Sequence, residues 1–487
     1  MQDKDLGKKI FSGMKWKAIE RIFLQLINAV TPMVLARILL PEDFGIIAIL
    51  TVFVSLANTF VNNGLGNSII QKKDSDDLDC STMFYTQFII AVICYAVLFV
   101  CSPFIASLYG NEELSLMLRV MSLTIVIGSL GSIQITVMKK NMDFQKSFVI
   151  YGSATIAYGI VGIGLAYAGY GSWSLVWAGI ANSVVLQLAA MLMIKWKPLW
   201  QFSFFRLKSL FSYSWKLTVG WLIGTLHQDL SVLVIGKRFS SATLGYYNRA
   251  GSFPQIITKT VTEVVDGVMF PAMSQMQDDR DKLRTITKTL LSMNSYILFP
   301  IFMGLASVAE NLVKLILTEK WLPSVPMMQI MCITYALNSI NNSNMQVFNS
   351  MGRSDIFMKF ELIKRSISMV LLVAMSFVSI YAVIIVLLVM AILSNMMNAY
   401  QNNKLLGIGY AQQLKCLLPA FLCSVVMYGA VAVVSILSVK PHIALMLQII
   451  IGVATYLITS YIFKLESFLY LLKYIKTFKC QKKSLEA

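Results

Sequence analysis

Charge is scarce in this chain. Asp, Glu, Lys and Arg make up 13% of the 487 residues, about half the share of an ordinary soluble domain. A water-soluble globule of this size is excluded. Histidine is rarer still, with only His227 and His442, which leaves little material for a His-based metal or acid–base centre. The seven cysteines form no CxxC pair and mostly lie inside apolar runs. Neither a disulfide framework nor a zinc site is favoured, and they read as small packing residues. No phosphate-binding loop, GxSxG or HExxH motif is present, so energy for any transport must come from an ion gradient or from the substrate's own gradient. No polar stretch approaches the ~100 residues of a separate soluble domain, which rules out a catalytic ectodomain.

What fills the chain instead is hydrocarbon: 57% of residues are hydrophobic and the mean hydropathy is +0.69. Runs close to the ~20 residues that span a bilayer lie near 16–39, 45–66, 83–109, 115–138, 148–168 and 172–194. After a polar and aromatic stretch come 212–236, 254–275, 289–310, 327–350, 356–378 and 381–402, then a last pair at 415–438 and 441–463. These predict an all-α polytopic membrane protein with about 14 transmembrane helices. The first run carries Arg21 and is followed by Arg37-Ile-Leu-Leu-Pro41 without a small-residue cleavage site, which reads as an uncleaved helix and not a signal peptide.

The net charge of +17 could suggest nucleic acid, but its placement argues otherwise. With the N-terminus in the cytoplasm, only Arg37, Arg119, Lys237, Arg238, Arg249, Lys259, Lys314, Lys320 and Lys440 of the 41 Lys and Arg fall on the outer side. The other 32 fall inside, the asymmetry that orients membrane proteins. Both termini are therefore expected in the cytoplasm, 237–253 is expected as an outer loop, and no nucleic-acid partner is expected. Two segments read as interfacial. Residues 196–211 mix Trp196, Trp200, Phe204 and Phe205 with Arg206 and Lys208, a linker in the headgroup plane. The tail, 464–487, sets Leu469, Leu472, Ile475 and Phe478 against five lysines, a surface-bound amphipathic helix.

The sequence also repeats itself. Phe11-Ser12 with Trp16-Lys17 is answered by Phe211-Ser212 with Trp215-Lys216, and further on Phe44-Gly45 corresponds to Leu244-Gly245 at an offset of 200. Six spans is an even number, so the second copy keeps the orientation of the first. The expected architecture is an N-lobe over 1–195, the linker over 196–211, a parallel C-lobe over 212–403 around a central cleft, and an extra pair of spans at 415–463.

Leu35-Ala-Arg37-Ile-Leu-Leu-Pro41-Glu-Asp-Phe44-Gly45, Asp229-Leu-Ser-Val-Leu-Val-Ile-Gly236-Lys, Leu244-Gly245-Tyr246-Tyr247-Asn-Arg249-Ala and Val268-Met-Phe270-Pro271-Ala-Met-Ser274-Gln-Met-Gln-Asp278 occur in this order. With the repeat, the chain resembles the Wzx-type polysaccharide transporters of the multidrug/oligosaccharidyl-lipid/polysaccharide (MOP) flippase superfamily over essentially its whole length. The resemblance implies a MATE/MurJ-like fold of two parallel six-helix lobes and the flipping of an undecaprenyl-pyrophosphate-linked oligosaccharide across a bacterial inner membrane. It also implies a lipid-linked oligosaccharide and membrane lipid as partners, alongside other polysaccharide-assembly proteins.

Polar groups inside the spans are the site candidates. Lys259, Glu263 and Asp266 share one face of the eighth span, and Asp229 lies in the seventh beside His227. Each charge costs about 2.5–3.5 kcal/mol near the bilayer centre, so these helices must turn them toward protein or a water-filled path. A buried ion pair is the structural alternative to an ion-coupling role for Asp229, Glu263 and Asp266, with H⁺ or Na⁺ as the ion and no other cofactor. Arg21 offers a planar fork to a pyrophosphate, although a snorkelling or Glu20-paired anchor accounts for it equally. The tenth span carries Asn338, Asn341, Asn342, Asn344, Gln346 and Asn349, and the second Asn58, Asn62 and Asn63. Amides bond sugar hydroxyls without carrying charge; they also glue helices together. Lys259, Asn62, Asn338, Asn342 and Asn349 thus join Arg21 as substrate-binding candidates. Gly152, Gly159, Gly162 and Gly164 read as close helix packing. Two rival functions stay open, a membrane enzyme of glycan assembly (polymerase, ligase or acyltransferase) and a multidrug exporter of the same superfamily.

Overall fold

A computed structural model describes residues 2–63, 68–69, 72, 75–141, 143–277, 279–434 and 440–470. Helices account for nearly all of it, and there is no strand among these residues. In chain order they are α1 (Gln2–Ile38), α2 (Pro41–Asn58, continued by a π turn Thr59–Asn63), α3 (Asp77–Tyr109), α4 (Glu113–Ser129), α5 (Ser132–Lys140), α6 (Phe144–Tyr167), α7 (Ser172–Met193), α8 (Phe204–Arg238), α9 (Ser241–Gln275), α10 (Arg280–Ile316), α11 (Ser324–Ser350), α12 (Ser354–Met375), α13 (Ile380–Leu406), α14 (Tyr410–Val434) and α15 (Pro441–Ile462). The α4–α5 pair is one segment bent by 44°.

Among the described residues all fourteen apolar segments are essentially helical, but they differ as membrane spans. Among the described residues ten helices are long and apolar enough to cross a bilayer, or eleven counting the bent pair. The amides and charges of α9, α11 and α12 keep those three below that standard. A count of fourteen crossings therefore goes beyond what apolar length alone establishes.

Helix ends follow local chemistry. Asp76 caps α3 by accepting from the Asp79 amide at 2.9 Å, and Asp143, Ser203, Asp279 and Ser379 cap α6, α8, α10 and α13 in the same way. Gly110 and Gly407 end α3 and α13 in the left-handed conformation that a Cβ disfavours.

By contacts the chain divides into two units, Met1–Gly245 and Tyr246–Ala487. The division falls later than the linker expected at 196–211 because α8 packs on α2 and α3. In the first unit, Leu50, Val54, Leu114, Leu118, Ile125 and Val176 form a core of α2, α4 and α7. Gly152, Gly159 and Gly162 let α6 approach Phe23 and Thr31 of α1 and Ala178 of α7, whereas Gly164 faces open space. In the second unit, Met273, Leu290, Val347, Phe348 and Ile408 form a core of α9, α10, α11 and the turn after α13.

The expected outer loop at 237–253 is a correction. Arg238 and Ser241 are separated by a two-residue turn, and α9 is already helical from Ser241. The reason is packing: Leu244 and Ala250 are fully buried and Tyr247 nearly so. The Phe44-Gly45 and Leu244-Gly245 pairs of the repeat meet here within the first unit. A Cβ on Gly45 would stand 1.9 Å from the Ser241 carbonyl oxygen, and a Cβ on Gly245 1.9 Å from that of Pro41. The first turns of α2 and α9 thus cross backbone to backbone at equivalent positions. Asp43 completes the junction, accepting from the Leu40 amide at 2.8 Å and from the Ser172 hydroxyl at 2.6 Å.

At the opposite end of this unit the linker is clasped to the start of α3. Asp79, fully buried, receives Lys72 at 2.5 Å and Arg206 at 3.2 Å, and Arg206 also pairs with Asp76. Trp196 donates to Asp77 at 3.1 Å, and the amides of Leu199 and Ser203 donate to Ser81 and Thr82 at 2.8 and 3.3 Å. The Arg206 hydrogen bond, more than any other contact, holds the Asp76 carboxyl at about 2, below its usual 3.8. A depressed carboxyl stabilises the folded state above its ordinary value and loses that contribution as pH falls through the lowered one. The clasp should therefore persist from pH 8 to 5 and loosen only between about 3.8 and 2. At neutral pH, Arg206→Ala should speed hydrogen exchange at the Leu199 and Ser203 amides roughly tenfold, for a loss of about 1–2 kcal/mol. Unchanged protection would mean that the clasp does not depend on Arg206.

Candidate functional site

A carboxylate in the apolar stretch of α8 is the most exposed to physical cost. Asp229 lies nine residues from the end of α8 at Arg238, about 14 Å at 1.5 Å per residue, close to the middle of a ~30 Å hydrocarbon layer. It is half-buried. The Ser55 hydroxyl of α2 donates to its Oδ2 at 2.9 Å, and one turn away the Thr59 and Thr225 hydroxyls lie 3.4 Å apart. Two helices therefore present a carboxylate and three hydroxyl oxygens to each other at mid-membrane depth. Such oxygen ligands suit a hard cation or a proton. The serine and threonines of α2 were absent from the sequence-level candidates; a repeating Ser55, Asn58 and Thr59 on an otherwise apolar helix was the available signal.

Of the other charged candidates, Arg21 is exposed on α1. Its neighbour Glu20 is buried and ion-paired to Lys17 at 2.7 Å. Counted from the Ile38 end of α1 and the Arg238 end of α8, Arg21 lies roughly 12 Å further along its helix than Asp229, so they belong to different levels of the first unit. Lys259 is exposed midway along α9, too far from either end to count toward a loop. The side chains of Glu263, Asp266 and Asn62 lie outside the described residues, as does the tail beyond 470. Arg119 is half-buried, donating to Ser102 at 2.7 Å with its guanidinium 4.4 Å from the Phe99 ring centre. The hydroxyl and the ring face supply the contacts that would otherwise draw it to water.

The amides of α11 sort by face. Asn344 accepts from Asn402 at 2.8 Å and donates to Gln413 at 3.0 Å, Asn341 accepts from Asn398 at 2.6 Å, and Asn395 reaches the Leu337 carbonyl at 2.9 Å. This ladder joins α11 to α13 and α14. Asn338, Asn342 and Asn349, at i, i+4 and i+11, lie along a different face. Among the described residues none of the three has a hydrogen-bond partner, and all retain some exposure. The helix thus keeps one row of amides for its neighbours and offers a second to whatever lies beside it. On that side Tyr335 reaches α9, its hydroxyl 3.8 Å from the position a Cβ would take on Gly251.

The comparisons with known proteins agree with this architecture. A family described as polysaccharide biosynthesis protein matches residues 34–326, more than half of the chain. The lipopolysaccharide biosynthesis protein WzxC of Escherichia coli K12 is 28% identical over 74% of this chain and 73% of its own length. The succinoglycan biosynthesis transport protein ExoT of Rhizobium meliloti is 23% identical over 74% and 72%. Among solved structures, the lipid II flippase MurJ in an inward closed conformation aligns with a TM-score of 0.73 at 14% identity, covering 92% of this chain and 98% of its own. An inward-facing MATE multidrug transporter of the MOP superfamily aligns at 0.61, covering 78% and 95%. Motif order, the fold and a family match over most of the chain converge on one assignment: this protein belongs to the polysaccharide biosynthesis protein family of membrane transporters.

Proposed function

We propose that the protein flips an undecaprenyl-pyrophosphate-linked oligosaccharide across a bacterial inner membrane by alternating access, for the assembly of a surface polysaccharide. The observation that carries this reading is the unpartnered row Asn338, Asn342 and Asn349. Neutral amides that make no hydrogen bond among the described residues suit a sugar chain rich in hydroxyls. A cationic drug would call for carboxylates or aromatic rings in their place. The names of the relatives and the fold of the lipid II flippase support the substrate class. Arg21 holds the pyrophosphate near the cytoplasmic side, Lys259 and Asn62 contribute along the path, and Asp229 with Glu263 and Asp266 couples transport to H⁺ or Na⁺. Other polysaccharide-assembly proteins deliver the substrate or take it up.

Reconstituted vesicles carrying a fluorescent lipid-linked oligosaccharide test the reading. Asn338→Ala and Asn342→Ala together should slow flipping at least several-fold with unchanged thermal stability. Asn402→Leu, which strands Asn344 in the ladder, should destabilise by about 1–2 kcal/mol and leave flipping per folded molecule near wild type. Equal effects of the two variants on both readouts would reduce the free row to further helix glue.

Orientation belongs to the same proposal: the charge asymmetry places both termini in the cytoplasm. A cysteine introduced at Ser240, exposed in the turn between α8 and α9, should react with an impermeant reagent on intact cells. Reaction only after lysis would invert the topology.

A further inference from the structure

Within the second unit, a cavity of about 780 Å³ opens between the first turns of α10, the first turns of α14 and the segment after α15. That volume lies within the roughly 300–1,000 Å³ of pockets that hold a discrete ligand. It contains none of the residues assigned above to transport. Its construction is specific. Lys464 takes a left-handed conformation at φ 48° and turns the chain back after α15. The returning segment is pinned across α10 by a 2.7 Å hydrogen bond between the Ser292 and Ser467 hydroxyls and by the Phe468 ring, 6.4 Å from that of Tyr296.

The lining has two characters. Lys288, Lys415 and Lys464 bring three cations and Glu466 one anion. Among the described residues none of these four is within ion-pair distance of an opposite charge. Below them the walls are apolar, from Met293, Leu418 and Leu422, and Leu418 and Leu422 keep about half of their surface exposed in an apolar span. The lysines lie at the helix ends that the charge asymmetry assigns to the cytoplasm, the depth of lipid phosphates on the leaflet that carries anionic lipid.

We propose that this cavity binds an anionic phospholipid of the cytoplasmic leaflet, its phosphate among Lys288, Lys415 and Lys464 and an acyl chain against Leu418 and Leu422. A soluble anion would use the cations but gain nothing from an apolar wall open to lipid. A zwitterionic lipid would fill the wall but bring its own cation to the lysines.

Native mass spectrometry of the full chain, released from membranes and exchanged into lipids of one acyl composition, tests the proposal. Phosphatidylglycerol should be retained at least tenfold better than phosphatidylcholine. The variant Lys288→Gln/Lys415→Gln/Lys464→Asn should lose that preference, with Asn chosen at 464 because it tolerates positive φ. Leu422→Trp, which fills the wall and spares the charges, should reduce retention of both lipids; all variants should elute as wild type from gel filtration. Undiminished phosphatidylglycerol retention in the triple variant would overturn the assignment, as would equal retention of the two lipids. Displacement of phosphatidylglycerol by millimolar inorganic phosphate would reduce the cavity to a phosphate site. Displacement by equimolar undecaprenyl phosphate would reassign it to the isoprenoid carrier.

Discussion

Gly45→Ala and Gly245→Ala should each lower the thermal unfolding temperature by roughly 1–3 °C, the consequence of about 1–3 kcal/mol of overpacking in a chain of 487 residues. The added methyl at 45 meets the Ser241 carbonyl oxygen at 1.9 Å and its carbon at 2.7 Å, and the methyl at 245 meets Pro41 at 1.9 and 2.8 Å. Carbon and oxygen rest no closer than about 3.3 Å, so the helices must part by more than an ångström. Both obstacles are backbone, and no side-chain rotation relieves them. Gly128→Ala in α4 is the control, since nothing lies within 4 Å of its new methyl. There the loss of unfolded-state freedom should stabilise the helix by about 0.5–1 kcal/mol. Because the crossing is reciprocal, the double variant should cost less than the sum of the singles, the first having already opened the junction. Gly45→Ala behaving like Gly128→Ala in a detergent melt would show that the two backbones are not in contact.

The second large effect concerns coupling. Asp229→Asn preserves shape and can still accept from Ser55, yet it cannot change charge when a cation arrives or leaves. Holding a charge at that depth costs about 2.5–3.5 kcal/mol, and only a ligand that binds two states differently can move their equilibrium. A difference of this size alters the balance between states about a hundredfold. Flipping driven by an imposed pH or Na⁺ gradient should therefore be abolished in Asp229→Asn, as in Glu263→Gln/Asp266→Asn, with membrane insertion intact. Ser55→Ala removes the hydroxyl that, among the described residues, bonds to Asp229 and should shift the pH or Na⁺ dependence without abolishing transport. Wild-type gradient dependence in Asp229→Asn would leave the carboxylate a structural partner of Ser55. If only the Glu263→Gln/Asp266→Asn variant failed, coupling would belong to α9.

The helices and their order were readable in the sequence, because a membrane removes most alternatives: in hydrocarbon every backbone amide must be satisfied within its own segment. Apolar length and flanking cations then suffice, and they placed α1 through α15 within a few residues in most cases. The same rule explains the loop expected at 237–253. Its polar letters resemble a connection, and only the burial of Leu244, Tyr247 and Ala250 makes it the first turns of α9. Composition likewise marked α11 as unusually rich in amides but could not divide them, since a row that bonds to α13 and a row that does not differ by a rotation about one helix axis.

Tertiary structure alone assigned roles within the repeat motif of this chain. Sequence marked Gly45 and Gly245 as equivalent; contact at 1.9 Å between a would-be methyl and a carbonyl gave the reason, because a missing side chain has meaning only against what it lets approach. Asp43 gains a structural role only once Ser172, distant in sequence, is seen donating to it. Asp229 could be flagged as costly from hydropathy, but its partner Ser55 lies 174 residues away. Energetic cost is local and legible from a window of sequence, whereas the group that offsets it is chosen by packing between helices.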